Sequence, residues 1–485
     1  MQSLRWGARA LFALGVVANC APVCAQPSWW SDPFRTSREV SPAPGVPWQP
    51  RQALPRITAP EATPQPTSAA PLTLAELTEY ALRNNPRTRQ AWFAARAAAA
   101  GVGFEEADLL PQLTAGFGVT RIRPVSGTTG TVSPWQTRYG PTLSLSYVLF
   151  DFARSIQIEA AEYRLLASNL TQNRVLQDVV FQVEQSYYRL LGLDLLVRVN
   201  EISLQNVKTV LDAAQRRRES GLATAADVYR AETQVAQAEV NLTRSKGEIE
   251  KARGLLAAAV GLPVNQTLRV ETLSDMPQVR EITASIADIL DRARSTRPDL
   301  IAAEAQARAA RATAEATSKA NWPSVEITGA AGQTAFLNEA NRGQPTANNY
   351  TLALNVRIPL FTGFRDKYAT AQAQALAEQA VASRDSLYRQ TELDVWQAYY
   401  DVQTAASGIG STEAQVKSAE QTSQATLARY QAGFGSILDL ITAQLDESNA
   451  RVQRIQSYLD WYTALARLHF STGFNDIMSA VNITK

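Results

Sequence analysis

The sequence repeats itself. LAELTEYALRNNP (74–86) aligns with IADILDRARSTRP (286–298), Pro111 with Pro323, and VEQSYY (183–188) with VWQAYY (395–400). Gly221 aligns with Gly433, Asp227 with Asp439 and Gly261 with Gly473, every pair 212 positions apart. A period this long marks a duplicated domain and not a solenoid unit. Whatever fold one copy adopts, the other must adopt too, with an approximate internal two-fold. The first repeat runs over 72–272, and the second over 273–485 with a C-terminal tail.

Each copy reads in the same order. A helix is predicted over about 73–110 and again over about 285–321, stopped by Pro111 and Pro323, which lack a backbone donor. Two short strands follow, at about 112–120 and 139–149 in one copy and 324–332 and 350–358 in the other. A very long helix comes next, at about 152–219 and 364–431; at 1.5 Å per residue it spans roughly 100 Å. A Gly-containing break leads into a return helix of about 36 residues. Leu176, Val180, Val183, Tyr187 and Leu190 step by 4, 3, 4, 3, as do Val395, Tyr399, Val402, Ala406 and Ile409, which is coiled-coil spacing.

The strands are one-sided. In TLSLSYVLFDF (142–152), Leu143, Leu145, Tyr147 and Leu149 oppose Thr142, Ser144, Ser146 and Val148. Leu113, Ala115, Phe117 and Val119 oppose Thr114, Gly116, Gly118 and Thr120, and Leu352, Leu354, Val356 and Ile358 oppose Thr351, Ala353, Asn355 and Arg357. Val325 and Ile327 against Glu326 and Thr328 show the same pattern more weakly. Strands of about 9–11 residues cross a tilted bilayer, and Trp135, Tyr139, Tyr350, Trp322, Phe150 and Phe361 cluster at their ends like interface girdles. A small soluble sheet packed on a helix shows the same alternation. For a membrane sheet, every backbone group in lipid must be paired, so the sheet must close, and four strands are too few. Sister chains must then complete the wall, with eight strands in a dimer or twelve in a trimer. On that reading the apolar face meets lipid, the Thr/Ser/Gly face lines water, and Arg357 lines the lumen, a surface or loop position being its alternative.

Charge and composition narrow the remaining classes. With 47 basic and 45 acidic residues the net charge is +2, which gives no reason to expect a nucleic-acid partner. No run of 18 apolar residues appears, so no spanning helix is predicted beyond the N-terminus. Residues 1–25 read as a secretory signal: Arg5 and Arg9, an apolar core ALFALGVVA (10–18), and VCA (23–25) before Gln26. Both cysteines, Cys20 and Cys24, fall within it, so a mature chain cleaved there has none; lipidation at Cys20 is the alternative. Residues 26–71 carry eleven prolines with Trp29, Trp30 and Trp48, and read as a spacer or an external strap. No cofactor, no metal and no enzymatic chemistry is expected. The single histidine, His469, lies in an apolar helix, no Cys/His metal spacing exists, and GVGFEE (101–106) sits inside a helix and not after a strand.

The duplicated repeat, LSYVLFDF, LNVRIPLFTGF, and the turn motifs ESGLATAADV (219–228) and YQAGFGSILDL (430–440) resemble the TolC-type outer-membrane factors of Gram-negative bacteria over residues 72 to about 474. The resemblance implies a mainly α fold with a membrane β-barrel: a homotrimer with a twelve-stranded barrel in the outer membrane and a twelve-helix tube in the periplasm. It also implies an equatorial girdle from the chain ends and the 261–284 connection. The implied partners are outer-membrane lipid, a periplasmic adaptor and an inner-membrane transporter of RND or ABC type. Gly221, Leu222, Gly433 and Phe434 resemble the adaptor-contacting tips, and Asp227 and Asp439 the acidic constriction. Thr224 with Asp227 and Ser436 with Asp439 also have helix-cap spacing, so two clean helical turns are an alternative explanation. Thr442 and Gly435 depart from relatives that carry a second acid and a tip arginine there, which puts a double acidic ring in doubt. A passive exit duct for small molecules is the leading reading. Type I protein secretion is the alternative, and a structural coiled-coil adhesin with a barrel anchor a remoter one.

Overall fold

The computed structural model describes residues 71–123, 125, 128, 130–132, 135–266, 268–271, 284–338 and 346–473. The signal segment, Cys20, the Pro-rich stretch up to residue 70 and the tail after 473 lie outside the described residues.

Each half opens on a short helix, α1 (Leu74–Asn84) in the first, followed by α2 (Pro86–Ala107). Thr73 and Glu76 form a reciprocal cap on α1, with Glu76 accepting from Thr73 N at 2.8 Å and Thr73 Oγ1 from Glu76 N at 3.3 Å. The single helix expected over 73–110 is therefore two. Asn85, just before Pro86, is extended at ψ 129°, and in the second half Arg297, just before Pro298, is extended at ψ 118°. A proline pushes the residue before it out of the helical region, yet fits the first helical position, where no N–H is needed. These two prolines punctuate the chain; α2 already ends ahead of Pro111.

Two strands, β1 (Gln112–Ile122) and β2 (Gln136–Phe150), lead to α3 (Arg154–Glu219), of 66 residues, and the return helix α4 (Ala225–Val260). The second half repeats the order: α5 (Ile286–Thr296), α6 (Pro298–Lys319), β3 (Ser324–Asn338), β4 (Ala347–Arg357), α7 (Arg365–Gln431) and α8 (Ile437–Thr472). No helix among the described residues is long and apolar enough to cross a membrane.

The helices pack as hairpins, α3 along α4 and α7 along α8, and α3 also lies against α2, α6 and α8. This widens the buried seam beyond the predicted heptad positions. Val183, Tyr187, Leu190, Val395, Val402 and Ile409 are buried as their spacing requires. Leu176, Val180, Tyr399 and Ala406 are only half-buried, and Val179 and Ala398 are fully enclosed in their place. A helix with neighbours on several sides buries a broader arc than a two-stranded coiled coil. One core joins Leu77, Val179, Val183, Leu256 and Val260 at the level of α1; another joins Ala398, Val402, Tyr458, Trp461 and Leu468 in the second half. Arg297, nearly enclosed, donates to both Asp299 oxygens, at 3.0 and 2.5 Å, and to the Ser471 carbonyl at 3.3 Å, tying the end of α8 to the α5–α6 break. Of the expected girdle, Leu72 pairs with Val270 as a parallel bridge, and residues 272–283 lie outside the described residues.

The four strands form one antiparallel sheet in the order β1-β2-β3-β4, so the two halves meet at β2–β3. The register sets Leu113, Leu145, Gly329 and Leu352 in one row and Thr114, Ser144, Ala330 and Thr351 in the next. Alternation therefore holds across the whole sheet, and a bulge at Leu149 returns Phe150 to the apolar face. Phe117, Val119, Leu352 and Leu354 remain 67, 66, 79 and 63% exposed, and no described helix packs across them. Among the described residues the outer edges of β1 and β4 are unpaired.

Candidate functional site

The long helices end in two turns of the same design. In the first, Gly221 has φ 74°; its N–H donates to the Arg218 carbonyl at 2.9 Å and the Leu222 N–H to the Arg217 carbonyl at 2.7 Å. In the second, Gly433 has φ 87°; its N–H donates to Tyr430 O at 3.1 Å and the Phe434 N–H to Arg429 O at 2.9 Å. These are Schellman ends, which require a left-handed residue and hence favour glycine. The residue after each glycine normally folds back onto the helix. Here Leu222 and Phe434 stand 69 and 82% exposed.

The turns differ at the start of the return helices. Thr224 Oγ1 accepts from Asp227 N at 3.3 Å, while the Asp227 carboxylate accepts from Thr224 N at 2.9 Å and from Thr224 Oγ1 at 2.8 Å. The backbone N–H of Thr224, then its hydroxyl, hold the Asp227 carboxyl below the ordinary carboxylate range. Arg230 lies 3.7 Å away. In the second turn Ser436 Oγ accepts from Leu438 N at 3.1 Å and Asp439 N at 3.3 Å, but Asp439 returns nothing. Its side chain is exposed and makes no hydrogen bond or ion pair among the described residues. Two acids matched by the repeat thus have different occupations: Asp227 is half of a cap, and Asp439 is uncommitted.

A core of Val210, Ala214, Val228, Ala231, Tyr430, Ile437, Leu440 and Ile441 lies beneath both turns and holds them at one end of the helical body. Arg217 crosses between them. Its Nη1 donates to the Tyr430 carbonyl, and its guanidinium lies 4.7 Å from the Tyr430 ring centroid. A cation at the C-terminus of α7 complements the helix dipole there. Burial pushes the Tyr430 phenol above its ordinary value. Sequence reading did not single out Arg217 or Tyr430. The basic run Arg216–Arg218 in the last turn of α3 was the available signal, but its partner lies 213 residues away.

Arg357 is not part of this cluster. It closes β4 opposite Ser324, on the sheet face that carries Glu326, Thr328 and Asn355. On that face Ser146 Oγ donates to Glu326 Oε1 at 2.6 Å and Asn355 Nδ2 to Thr328 Oγ1 at 3.0 Å. The 67-residue α7 separates Arg357 from the second turn by about 100 Å. Gly435 packs so closely on the α7 end that a Cβ there sits 3.0 Å from Tyr430 N, and Thr442 is exposed on α8. His469 is half-buried in α8, where burial lowers its pKa. No group of metal-binding side chains occurs among the described residues.

The comparisons with known proteins point one way. The sequence matches the Outer membrane efflux protein family over residues 77–262 and again over 289–474. It is 27% identical to Protein CyaE of Bordetella pertussis over 389 residues, covering 79% of this chain and 80% of that one. It is 26% identical to the pyoverdine export outer membrane protein OpmQ of Pseudomonas aeruginosa over 416 residues, 81% of this chain and 84% of the relative. The fold superimposes on the crystal structure of the outer membrane protein VceC of Vibrio cholerae with a TM-score of 0.73 at 22% identity, covering 82% of this chain and 96% of that one. A duplicated helix–strand–strand–helix unit, an open sheet greasy on one side, and a family match falling once on each half lead to one conclusion: this chain belongs to the outer membrane efflux proteins, the TolC-like channels of the Gram-negative outer membrane, and is not an enzyme.

Proposed function

We propose that three copies of this chain close one barrel in the outer membrane and one helical tube beneath it. The tube is the passive exit duct of a tripartite export machine, fed by an inner-membrane transporter through a periplasmic adaptor. The observation that carries this is the sheet. Four strands with two unpaired edges and an exposed apolar face cannot end in lipid as they stand. Three such sheets joined edge to edge make a twelve-stranded barrel, with Leu113, Phe117, Leu352 and Leu354 toward acyl chains and Thr114, Ser144, Glu326 and Arg357 toward water. Strands of 11–15 residues at about 3.3 Å per residue, tilted, span an apolar band of about 25 Å.

At the far end the exposed Leu222 and Phe434 dock the adaptor. A tight turn gives no structural reason to expose them, and two apolar knobs on one rigid core suit a helical-hairpin partner. Asp439, free of any cap, forms the acidic constriction by three-fold repetition, and Asp227 serves first as a cap. The cargo is small molecules, in keeping with the pyoverdine exporter among its relatives. Reconstitution in planar bilayers together with chemical crosslinking tests the proposal. Discrete conductance steps and a crosslinked species of three chains support it. A detergent-free stable monomer overturns it.

A further inference from the structure

The repeat makes one chain a template for how two copies meet. Inside the chain the first half packs on the second through α3 and α8, which run antiparallel. Phe181 stacks on Phe470 with ring centroids 4.7 Å apart, and Tyr188 stacks on Tyr462 at 4.5 Å. Gly192 is buried so tightly that a Cβ there runs into the Leu459 side chain. Toward the sheet, Ile156 and Ala160 of α3 share a core with Ala312 and Ala316 of α6. Each of these helices has a counterpart 212 positions away: α7 for α3, α4 for α8 and α2 for α6. Within the described residues α4 and α2 pack along α3 and form no such joint with α7.

The surfaces for the counterpart joint are present all the same. On α7, Leu393, Trp396, Tyr400 and Thr404 take the places of Phe181, Glu184, Tyr188 and Gly192, and all four are exposed. On α4, Ala258, Glu250 and Gly247 take the places of Phe470, Tyr462 and Leu459, and these too are exposed. Gly254 stands where α8 has the buried Ala466. Gly247 and Gly254 fall on one face of α4, about two turns apart, and a Cβ at either meets nothing within 4 Å. A glycine inside a helix destabilises it relative to alanine, so open glycines in α4 bring no gain to a single chain. Toward the sheet, Tyr368 of α7 and Phe104 of α2, the counterparts of Ile156 and Ala316, are exposed as well.

We infer that this strip of α7 is the contact face for a second copy of the chain, whose α4 lies antiparallel along it with Gly254 beneath Trp396 and Gly247 beneath Thr404. The inference rests on the duct reading, which needs several copies, and adds which faces of them meet. The observed joint sets the level. Moving Phe181–Phe470, Tyr188–Tyr462 and Gly192–Leu459 by 212 positions, up on one side and down on the other, gives Leu393–Ala258, Tyr400–Glu250 and Thr404–Gly247. Trp396 falls between the first two pairs, level with Gly254. In the observed joint Leu459 of α8 covers Gly192 of α3; in the inferred one the large side chain comes from α7 and the glycine from α4. The bare backbone at Gly254 lets the indole lie flat and bury its apolar area. Each copy offers α7 to one neighbour and α4 to the other, a head-to-tail contact that closes as a ring. The strip leads up to β4, whose outer edge is unpaired among the described residues, so one contact serves helices and sheet.

The test is oxidative crosslinking of the full-length protein in outer-membrane preparations, with Thr404→Cys/Gly247→Cys. Wild type, whose two cysteines are Cys20 and Cys24, and each single variant are the controls. The pair should yield a reducible species of three chains on gels, and the controls none. Gly192→Cys/Leu459→Cys, the cognate pair, should link within one chain only. Gly254→Leu fills the seat of the indole and should lower the three-chain yield of a lysine-directed crosslinker about tenfold. Adding Trp396→Ala should restore at least half of that yield. A double cysteine variant that traps no three-chain species, while the lysine-directed reagent still yields one, overturns the inference and leaves the duct. So does a Gly254→Leu chain that assembles as wild type, or one that Trp396→Ala does not restore. A chain that stays monomeric by every route sinks both readings.

Discussion

Replacing each tip acid by alanine should produce opposite phenotypes, although the repeat makes the two residues equivalent in sequence. Asp227→Ala removes the acceptor for Thr224 N, at 2.9 Å, and for Thr224 Oγ1, at 2.8 Å. Loss of such a cap costs about 1 kcal/mol, and the exposed Arg230 pair at 3.7 Å adds less than about 0.5 kcal/mol. One kcal/mol is about a fivefold change in a local opening equilibrium, so amide exchange at 225–228 should speed up about fivefold. Asp439→Ala breaks no bond in the chain, and its effect on stability should stay within about 0.5 kcal/mol. Its effect on the pore should be large. In the proposed trimer Asp439 contributes to a ring of three carboxylates, and deleting the ring should weaken divalent-cation block in planar bilayers at least tenfold and raise single-channel conductance. Exchange at the Asp227 turn should also depend on pH. A carboxyl held below its ordinary range stabilises fully above that range and loses the contribution as pH falls through the lowered value. Cap protection should therefore be flat near neutral pH and fade below about pH 4. The reasoning fails if Asp227→Ala leaves exchange at 225–228 untouched, or if Asp439→Ala leaves both conductance and block as they were.

Three further outcomes are expected. Arg217→Met should unlink the turns by removing one charge-assisted hydrogen bond to the Tyr430 carbonyl, about 1.5–3 kcal/mol locally, and a disulfide-trapping assay across the two turns should register wider separations. Burial pushes the Glu184 carboxyl up to about 7 from 4.5, so the native state loses stability as pH rises between those values, by on the order of 2–3 kcal/mol per chain. Glu184→Gln should flatten the dependence of the thermal midpoint on pH from 5 to 8; an unchanged slope refutes the assignment. Gly140→Ala drives a Cβ into the Gln333 carbonyl oxygen, where the two halves of the sheet join, and should abolish the detergent-resistant oligomer on gels while the helical circular dichroism signal persists.

Element order, its duplication, the sidedness of the strands, the glycine ends of the long helices and the incompleteness of a four-stranded wall are all legible in the residues. Duplication is read from the 212-residue period and incompleteness from strand count; the others follow from chemistry acting over a few residues: a missing proline N–H, a left-handed glycine, a cap three positions away, alternation every second residue. The same local rules account for the break at Asn85 and Arg297, which Pro86 and Pro298 set, and not Pro111 and Pro323. The rest depends on how the elements pack. The seam shifted to include Val179 and Ala398 because α3 and α7 each touch more than one neighbour. Asp227 and Asp439 parted because one carboxylate turns back to its cap residue and the other does not, a difference of side-chain placement that identical spacing conceals. Arg217 meets Tyr430 across 213 residues, and Ser146 meets Glu326 across 180, because helices and strands from the two halves lie side by side. Such partners are set by which faces pack together, and no spacing within either segment encodes that.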